Sequence, residues 1–444
     1  MRPSHPEATP ATVPTATQAG DIRARWAWVE PEVWTDRMLT ALETGVKGGV
    51  WFSLIDKVYA LRTLRCAWTR VKANAGVAGV DHVTVAMYEQ DLDGNLAGLS
   101  QQLREGTYRP QPVRRTWIDK PGSREQRPLG IPTVRDRIVQ TALRLVLEPI
   151  FEQHFAAHSY GFRPERGCRD ALRRVDHLLI AGATWVVDAD LRRCFDTIPH
   201  APLVARVRTK VADGRVLALL EAFLTQAVME GLSAWTPDEG TPQGAVVSPL
   251  LANIYLDPLD QTMAAAGVEM VRYADDFVLL CRSEAEAQRA LTLVATWTDA
   301  AGLTLHPDKT RVVDAAGRGG FDFLGYHFER GMHWPRKKSL AKLKDRLRAK
   351  TRRTNGQSLA VIIADVNRTL RGWFAYFRFS HRTTFPSLDQ WVRMRLRSIL
   401  RKRAGRRGRG RGADHQRWPN AFFAAQGLFC LTTAHAAARQ SVSR

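Results

Sequence analysis

The segment Met270-Val-Arg-Tyr-Ala-Asp-Asp-Phe-Val-Leu-Leu280 decides how the chain is read. Apolar runs flank its acidic centre, which predicts two strands joined by a tight turn. Adjacent carboxylates beside such strands are costly, because like charges repel and burial strips away their water. A divalent cation relieves both costs, and hard oxygen donors on a turn suit magnesium. A second source of carboxylate is Thr184-Trp-Val-Val-Asp-Ala-Asp190, which reads as a buried strand ending in acids. Alternation puts Asp188 and Asp190 on one face of it. Two strands delivering Asp190, Asp275 and Asp276 to one place can hold two metals about 3.5–4 Å apart, the spacing used for in-line phosphoryl transfer.

Further residues follow in a telling order. Asp190 is succeeded by Phe195 and Asp196, then by Gln243 in the loop Gly240-Thr-Pro-Gln-Gly244, then by Lys309 beyond the acidic hairpin. Each alone has an ordinary reading: Phe195 as core, Gln243 as a turn residue, Lys309 as surface. Jointly they fit a nucleotide polymerase. Around them, helical spacing runs from Trp26 to Leu103 and from Arg135 to Phe155. Five prolines between Tyr108 and Pro132 allow only short extended pieces there. Pro202 to Glu230 is expected to be helical, and Phe321 to Phe328 to form one alternating strand. A capping box, Ser283-Glu-Ala-Glu286, opens a helix to Ala301.

Charge is concentrated at one end. Of the 444 residues, those from Arg336 to Arg411 carry 24 lysines and arginines against three acids, which accounts for the entire net charge of +21. Such a segment suits a solvated face, a membrane surface or a polyanion. The interleaved Trp373, Phe374, Tyr376, Phe377, Phe379 and Trp391 favour a nucleic acid, whose bases offer stacking faces. No apolar run of 18 residues is present, so no membrane partner is expected, and a cytoplasmic location is. Five scattered cysteines, never in C-x-x-C spacing, give no disulfide framework or zinc site.

These motifs resemble the reverse transcriptases encoded by bacterial group II introns, also called maturases. Trp117-Ile-Asp-Lys120 and Arg127-Pro-Leu-Gly-Ile-Pro132 are similar to the fingers strands, and Ser159-Tyr-Gly-Phe-Arg-Pro164 to the segment after them. Asp190-Leu-Arg-Arg-Cys-Phe-Asp-Thr-Ile198, Thr241-Pro-Gln-Gly-Ala-Val-Val-Ser-Pro249 and Tyr273-Ala-Asp-Asp276 resemble the palm motifs. Gly302-Leu-Thr-Leu-His-Pro-Asp-Lys309 and Phe323-Leu-Gly-Tyr326 resemble the last of the core, and Leu370-Arg-Gly-Trp-Phe-Ala-Tyr-Phe377 the thumb or maturase domain.

The resemblance implies an α+β right-hand polymerase with a helical thumb. The expected divisions are a tail (1–22), an N-terminal extension with fingers (23–165), a palm (166–333), a thumb (334–404) and a basic linker with a C-terminal tail (405–444). It also implies Mg²⁺ held by Asp190, Asp275 and Asp276, with Asp275 the more direct ligand of the last two. Asp188 is a weaker candidate and Asp196 a structural residue. Lys120 and Arg127 would cover an incoming dNTP, although both also suit an exposed strand pair. Phe195 would exclude a 2′-hydroxyl, Gln243 would hold the nucleotide from the other side, and Lys309 would meet phosphate. Arg393, Arg395 and Arg397 spread around a helix and take no individual role.

The implied partners are intron RNA and an RNA template with a DNA primer. The implied activity is RNA-directed DNA synthesis together with assistance to splicing. A domesticated free-standing reverse transcriptase and a non-catalytic RNA-binding maturase are the alternatives. Cys430, His415 and His435 form no metal-binding cluster pattern, so no endonuclease domain is expected at the C-terminus.

Overall fold

A computed structural model describes residues 22–119, 126–408, 410 and 412–440. Eleven strands among the described residues form three sheets. In chain order they are β1 (Val113–Asp119), β2 (Gln126–Ile131), β3 (Trp185–Asp190), β4 (Val228–Glu230), β5 (Ser233–Trp235), β6 (Glu269–Tyr273), β7 (Asp276–Cys281), β8 (Arg311–Asp314), β9 (Phe321–Phe323), β10 (Tyr326–Glu329) and β11 (Met332–Pro335).

The central sheet has the order β6-β7-β3-β8, all antiparallel. Its two faces belong to different cores. Val187, Ala189, Phe277 and Leu279 pack with the helices Val134–Glu152, Ser248–Ala265 and Glu284–Ala300. Val186, Val278 and Leu280 pack instead with Phe321, Phe323, Tyr326 and Phe328 of β9 and β10. Burial on both faces is why β3 and β7 read as nearly continuous apolar runs. Asp190 and Asp276 stand at the strand ends, where the sheet stops covering them, and Asp188 is two residues further in, between β7 and β8.

A second sheet, β2-β1-β4-β5, leans on the first through the 241–244 loop. Gly130 donates its N–H to the Gln243 carbonyl at 2.6 Å. Gly244 adopts φ +105°, and a Cβ there would stand 2.4 Å from the Gly130 oxygen. Only glycine permits that approach.

The basic segment forms the helices Lys337–Lys350, Leu359–Phe377 and Thr384–Arg403 around Leu347, Val366, Leu370 and Leu396. It is tied to the third sheet by a reciprocal pair of bonds: Tyr326 Oη donates to the Tyr376 carbonyl and Tyr376 Oη to the Leu324 carbonyl, each at 2.7 Å.

Five expectations change. Pro202 to Glu230 is two helices, His200–Arg208 and Gly214–Leu224, followed by β4. Asp213 caps the second helix and also accepts N–H bonds from Leu54 and Ile55, so tertiary contact fixes the break. Phe321 to Phe328 is two strands, because Leu324 and Gly325 turn with φ of +46° and +85°. The stretch after 412 is not a bare tail. Its three short helices bury Phe423 and Leu431 in the thumb core, and Asp389 accepts from Leu431 N, Thr432 N and Thr432 Oγ1. Arg397 is buried rather than on the surface, donating to the Trp418 carbonyl and to Asn420. In the Ser283 capping box, Ser283 accepts from Glu286 N, but the Glu286 carboxylate takes the Arg282 N–H instead of that of Ser283.

Candidate active site

Strand register brings the acids together. In the β3–β7 ladder Asp190 stands directly opposite Asp276, one residue from Asp275 in the β6–β7 turn. Antiparallel partners lie about 4.5–5.5 Å apart at Cα, so residues distant by more than eighty positions become neighbours. Asp188 lies on the same face, opposite Val278 on one side and Arg311 on the other.

The electrostatic signature follows. Burial first, then the charges of Asp275, Asp188 and Asp190, push the Asp276 carboxyl up to about 7. Burial also raises Asp275, with Asp190 adding to the effect and Arg127 opposing it. Asp188 is raised by burial, partly offset by Arg311 at 3.3 Å. A cation would relieve the cost of holding these carboxylates together, and the donor set fits a hard divalent metal. Asp190 is engaged by Lys309 Nζ at 2.6 Å. Among the described residues no three acid, histidine or cysteine side chains already form a ready metal cage.

The turn itself is held from behind. Ala274 sits at φ +61°, a strained value for a residue with a side chain. The fully buried Arg272 guanidinium donates to the Ala274 carbonyl at 2.8 Å and to Asn253 Oδ1 at 3.0 Å. Its remaining donors pair with Asp260 at 2.5 to 3.0 Å. The sequence reading missed this residue. Its signal was a lone arginine inside the apolar strand Met270-Val-Arg-Tyr.

In front of the acids lies a cleft of about 1010 Å³. Arg127, Phe195, Gln243, Asp190, Asp275 and Lys309 all line it, whereas Asp276 does not. Arg127 comes from β2, Phe195 from the short helix Cys194–Thr197, and Gln243 from the loop against β2. Gln243 Nε2 donates to Asp196 Oδ1 at 3.0 Å, which gives Asp196 a bracing position. Lys120, expected beside Arg127, lies outside the described residues.

Residues 118–328 match the reverse transcriptase (RNA-dependent DNA polymerase) family, and residues 340–418 match the group II intron maturase-specific domain. The chain therefore belongs to the reverse transcriptases that carry a group II intron maturase domain, with a right-hand polymerase fold. Among its relatives, Protein YkfC of Escherichia coli (strain K12) is 32% identical over 346 residues, 69% of this chain and 86% of YkfC. Group II intron-encoded protein LtrA of Lactococcus lactis subsp. cremoris is 45% identical over 199 residues, 44% of this chain and 32% of LtrA. The match thus spans about a third of LtrA's length. A solved partial Cas6-RT-Cas1–Cas2 complex aligns at a TM-score of 0.36 and 24% identity, covering 56% of this chain and 41% of that one. No helix among the described residues is long and apolar enough to cross a membrane.

Proposed function

We propose that the chain is an RNA-directed DNA polymerase that copies intron RNA into cDNA and assists the splicing and mobility of that RNA. One observation carries this reading: Asp190 faces the Asp275–Asp276 turn across a single strand pair, at the mouth of a cleft lined by a cation and an aromatic ring. Asp190 and Asp275 would hold Mg²⁺, with Asp276 supporting from the sheet side. Bound there, the metal supplies charge neutralisation on the triphosphate and a lowered pKa at the primer hydroxyl.

The chain's own residues do the rest. Arg127 presents a planar fork of donors suited to phosphate oxygens, with Lys120 as its expected neighbour. Phe195 sets the floor under the sugar, leaving no room for a 2′-hydroxyl. Gln243, braced by Asp196, holds the nucleotide from the opposite side. Lys309, a point charge paired with Asp190 in the cleft, would meet phosphate. The basic helices track the phosphates of the template–primer duplex and of the intron RNA. Work on an intron transcript puts the protein in the cytoplasm.

Primer extension on an RNA template with dNTPs and Mg²⁺ tests the reading. Extension by the wild type, lost in Asp275→Ala, is the expected result. RNA binding without extension by the wild type would leave only a cationic RNA binder.

A further inference from the structure

Phe162 belongs to the Ser159-Tyr-Gly-Phe-Arg-Pro164 segment, and none of the roles above uses it. Its φ is +59°, in the left-handed region that a bulky aromatic residue rarely enters, and it is 47% exposed.

Both flanks are fixed. On one side Tyr160 N donates to the Arg272 carbonyl and Asn253 Nδ2 to the Gly161 carbonyl, each at 2.8 Å. Gly161 lies so near the catalytic turn that a Cβ there would stand 2.1 Å from Ala274 N. On the other side the buried Arg163 guanidinium pairs with Glu152 at 2.7 Å and donates to the Ala156 and Ser159 carbonyls. A conformation this costly persists only where its surroundings over-determine it, and such places cluster at functional sites.

The ring enters the same cleft as Asp190 and Asp275. It stands edge-on to Phe195, with ring centroids 6.5 Å apart and planes at 85°.

We propose that Phe162 is a positioning residue for sugar selection: it backs Phe195, so that ring cannot yield to a ribonucleotide's 2′-hydroxyl. This inference rests on the polymerase reading and deepens it. A steric gate discriminates only as far as it is stiff. Phe195 is only partly buried against the main core, and Phe162 adds an aromatic contact that restrains its ring from the cleft. The locked segment behind Phe162 ties the gate to the turn that carries Asp275, so sugar and metal positions share one frame. An edge-to-face contact of this kind is worth about twofold to tenfold in a rate ratio.

The test uses Phe162→Gly in the full chain, because glycine takes a positive φ freely and removes the ring without straining the turn. Single-nucleotide incorporation on an RNA template gives kcat/KM for a dNTP and for the matching rNTP. The expected result is a dNTP-to-rNTP ratio about twofold to tenfold lower than wild type, with an unchanged melting temperature. Phe162→Tyr should restore the wild-type ratio. Phe162→Gly added to Phe195→Ala should lower the ratio no further than Phe195→Ala alone. An unchanged ratio in Phe162→Gly, an equal fall for both sugars, or an additive fall in the double variant overturns the inference. A wild type that incorporates no dNTP overturns the polymerase reading first, and this inference with it.

Discussion

The palm turn and the thumb both concentrate charge of one sign, yet they hold it in opposite ways. In the palm, the register of β3 and β7 sets Asp190 against Asp276, with Asp275 in the adjoining turn and Asp188 two residues along the strand, and burial with these charges drives Asp276 up to about 7. In the thumb, most of the cations are exposed on three helices, and those drawn inward are spent on structure: the buried Arg397 on Trp418 and Asn420, the half-buried Arg401 on Asp414. The lesson concerns granularity. A site whose charge is fixed by two strand positions depends on single residues, whereas a site whose charge is spread over helices depends on their sum.

The sharpest break of this contrast is a pair of substitutions. Asp275→Ala should cost on the order of a thousandfold or more in RNA-templated extension, because several kcal/mol of metal-centred stabilisation goes with it. Arg346→Ala, on an exposed thumb position, should change the same rate by less than about threefold, as one phosphate contact among many. Comparable losses from both would end the comparison.

Next in size is the support behind the turn. Arg272→Leu leaves Asp260 buried without its partner and should destabilise the fold by about 3–5 kcal/mol, read by denaturant titration. Adding Asp260→Leu should recover part of that loss, since the penalty lies in the unpaired charge. No recovery would mean that the bond to Ala274, not the ion pair, carries the stability.

The gate sharpens the palm side. Phe195→Ala should raise ribonucleotide use relative to deoxyribonucleotide by about tenfold or more, the scale on which pocket shape separates close substrates. Equal selectivity would remove Phe195 from its role while leaving the acids untouched.

The smallest effect belongs to the thumb. RNA affinity should fall steeply with salt, and Lys342→Ala should reduce the slope of log K against log salt by about one. A shallow slope in the wild type would show that the basic helices face something other than phosphate.

How much of this was legible depends on the range of the interactions involved. The hairpin acids were readable because adjacent carboxylates beside apolar strands call for a cation; Phe195 and Gln243 were singled out by the resemblance, and the fold brings both into the cleft with Asp190 and Asp275. The β6–β7 hairpin was readable because its apolar flanks and acidic turn are local. Phe162 and Arg272 were not. A phenylalanine before an arginine carries no mark of a left-handed backbone, and the reason it is tolerated lies in Asn253, Arg163 and Ala274.

The breaks at Asp213 and Leu324 were hidden for the same reason. In each case a partner far along the chain outbids local propensity, Leu54 for the first and Tyr376 for the second. The thumb's net charge was visible by counting, but which arginines are buried was not, because helical spacing gives direction without saying what stands opposite.

The amino-acid order alone determined the inventory: acids on and beside apolar strands, the aromatic and amide side chains that follow them, and a strongly basic segment from 336 to 411. Tertiary structure alone decided the meeting of Asp190 with Asp276, the pose of Phe162 and the docking of residues after 412 onto the thumb. Chemistry is written in side-chain type, which a sequence states outright. Convergence is written in packing and register, which exist only once distant segments have closed on one another.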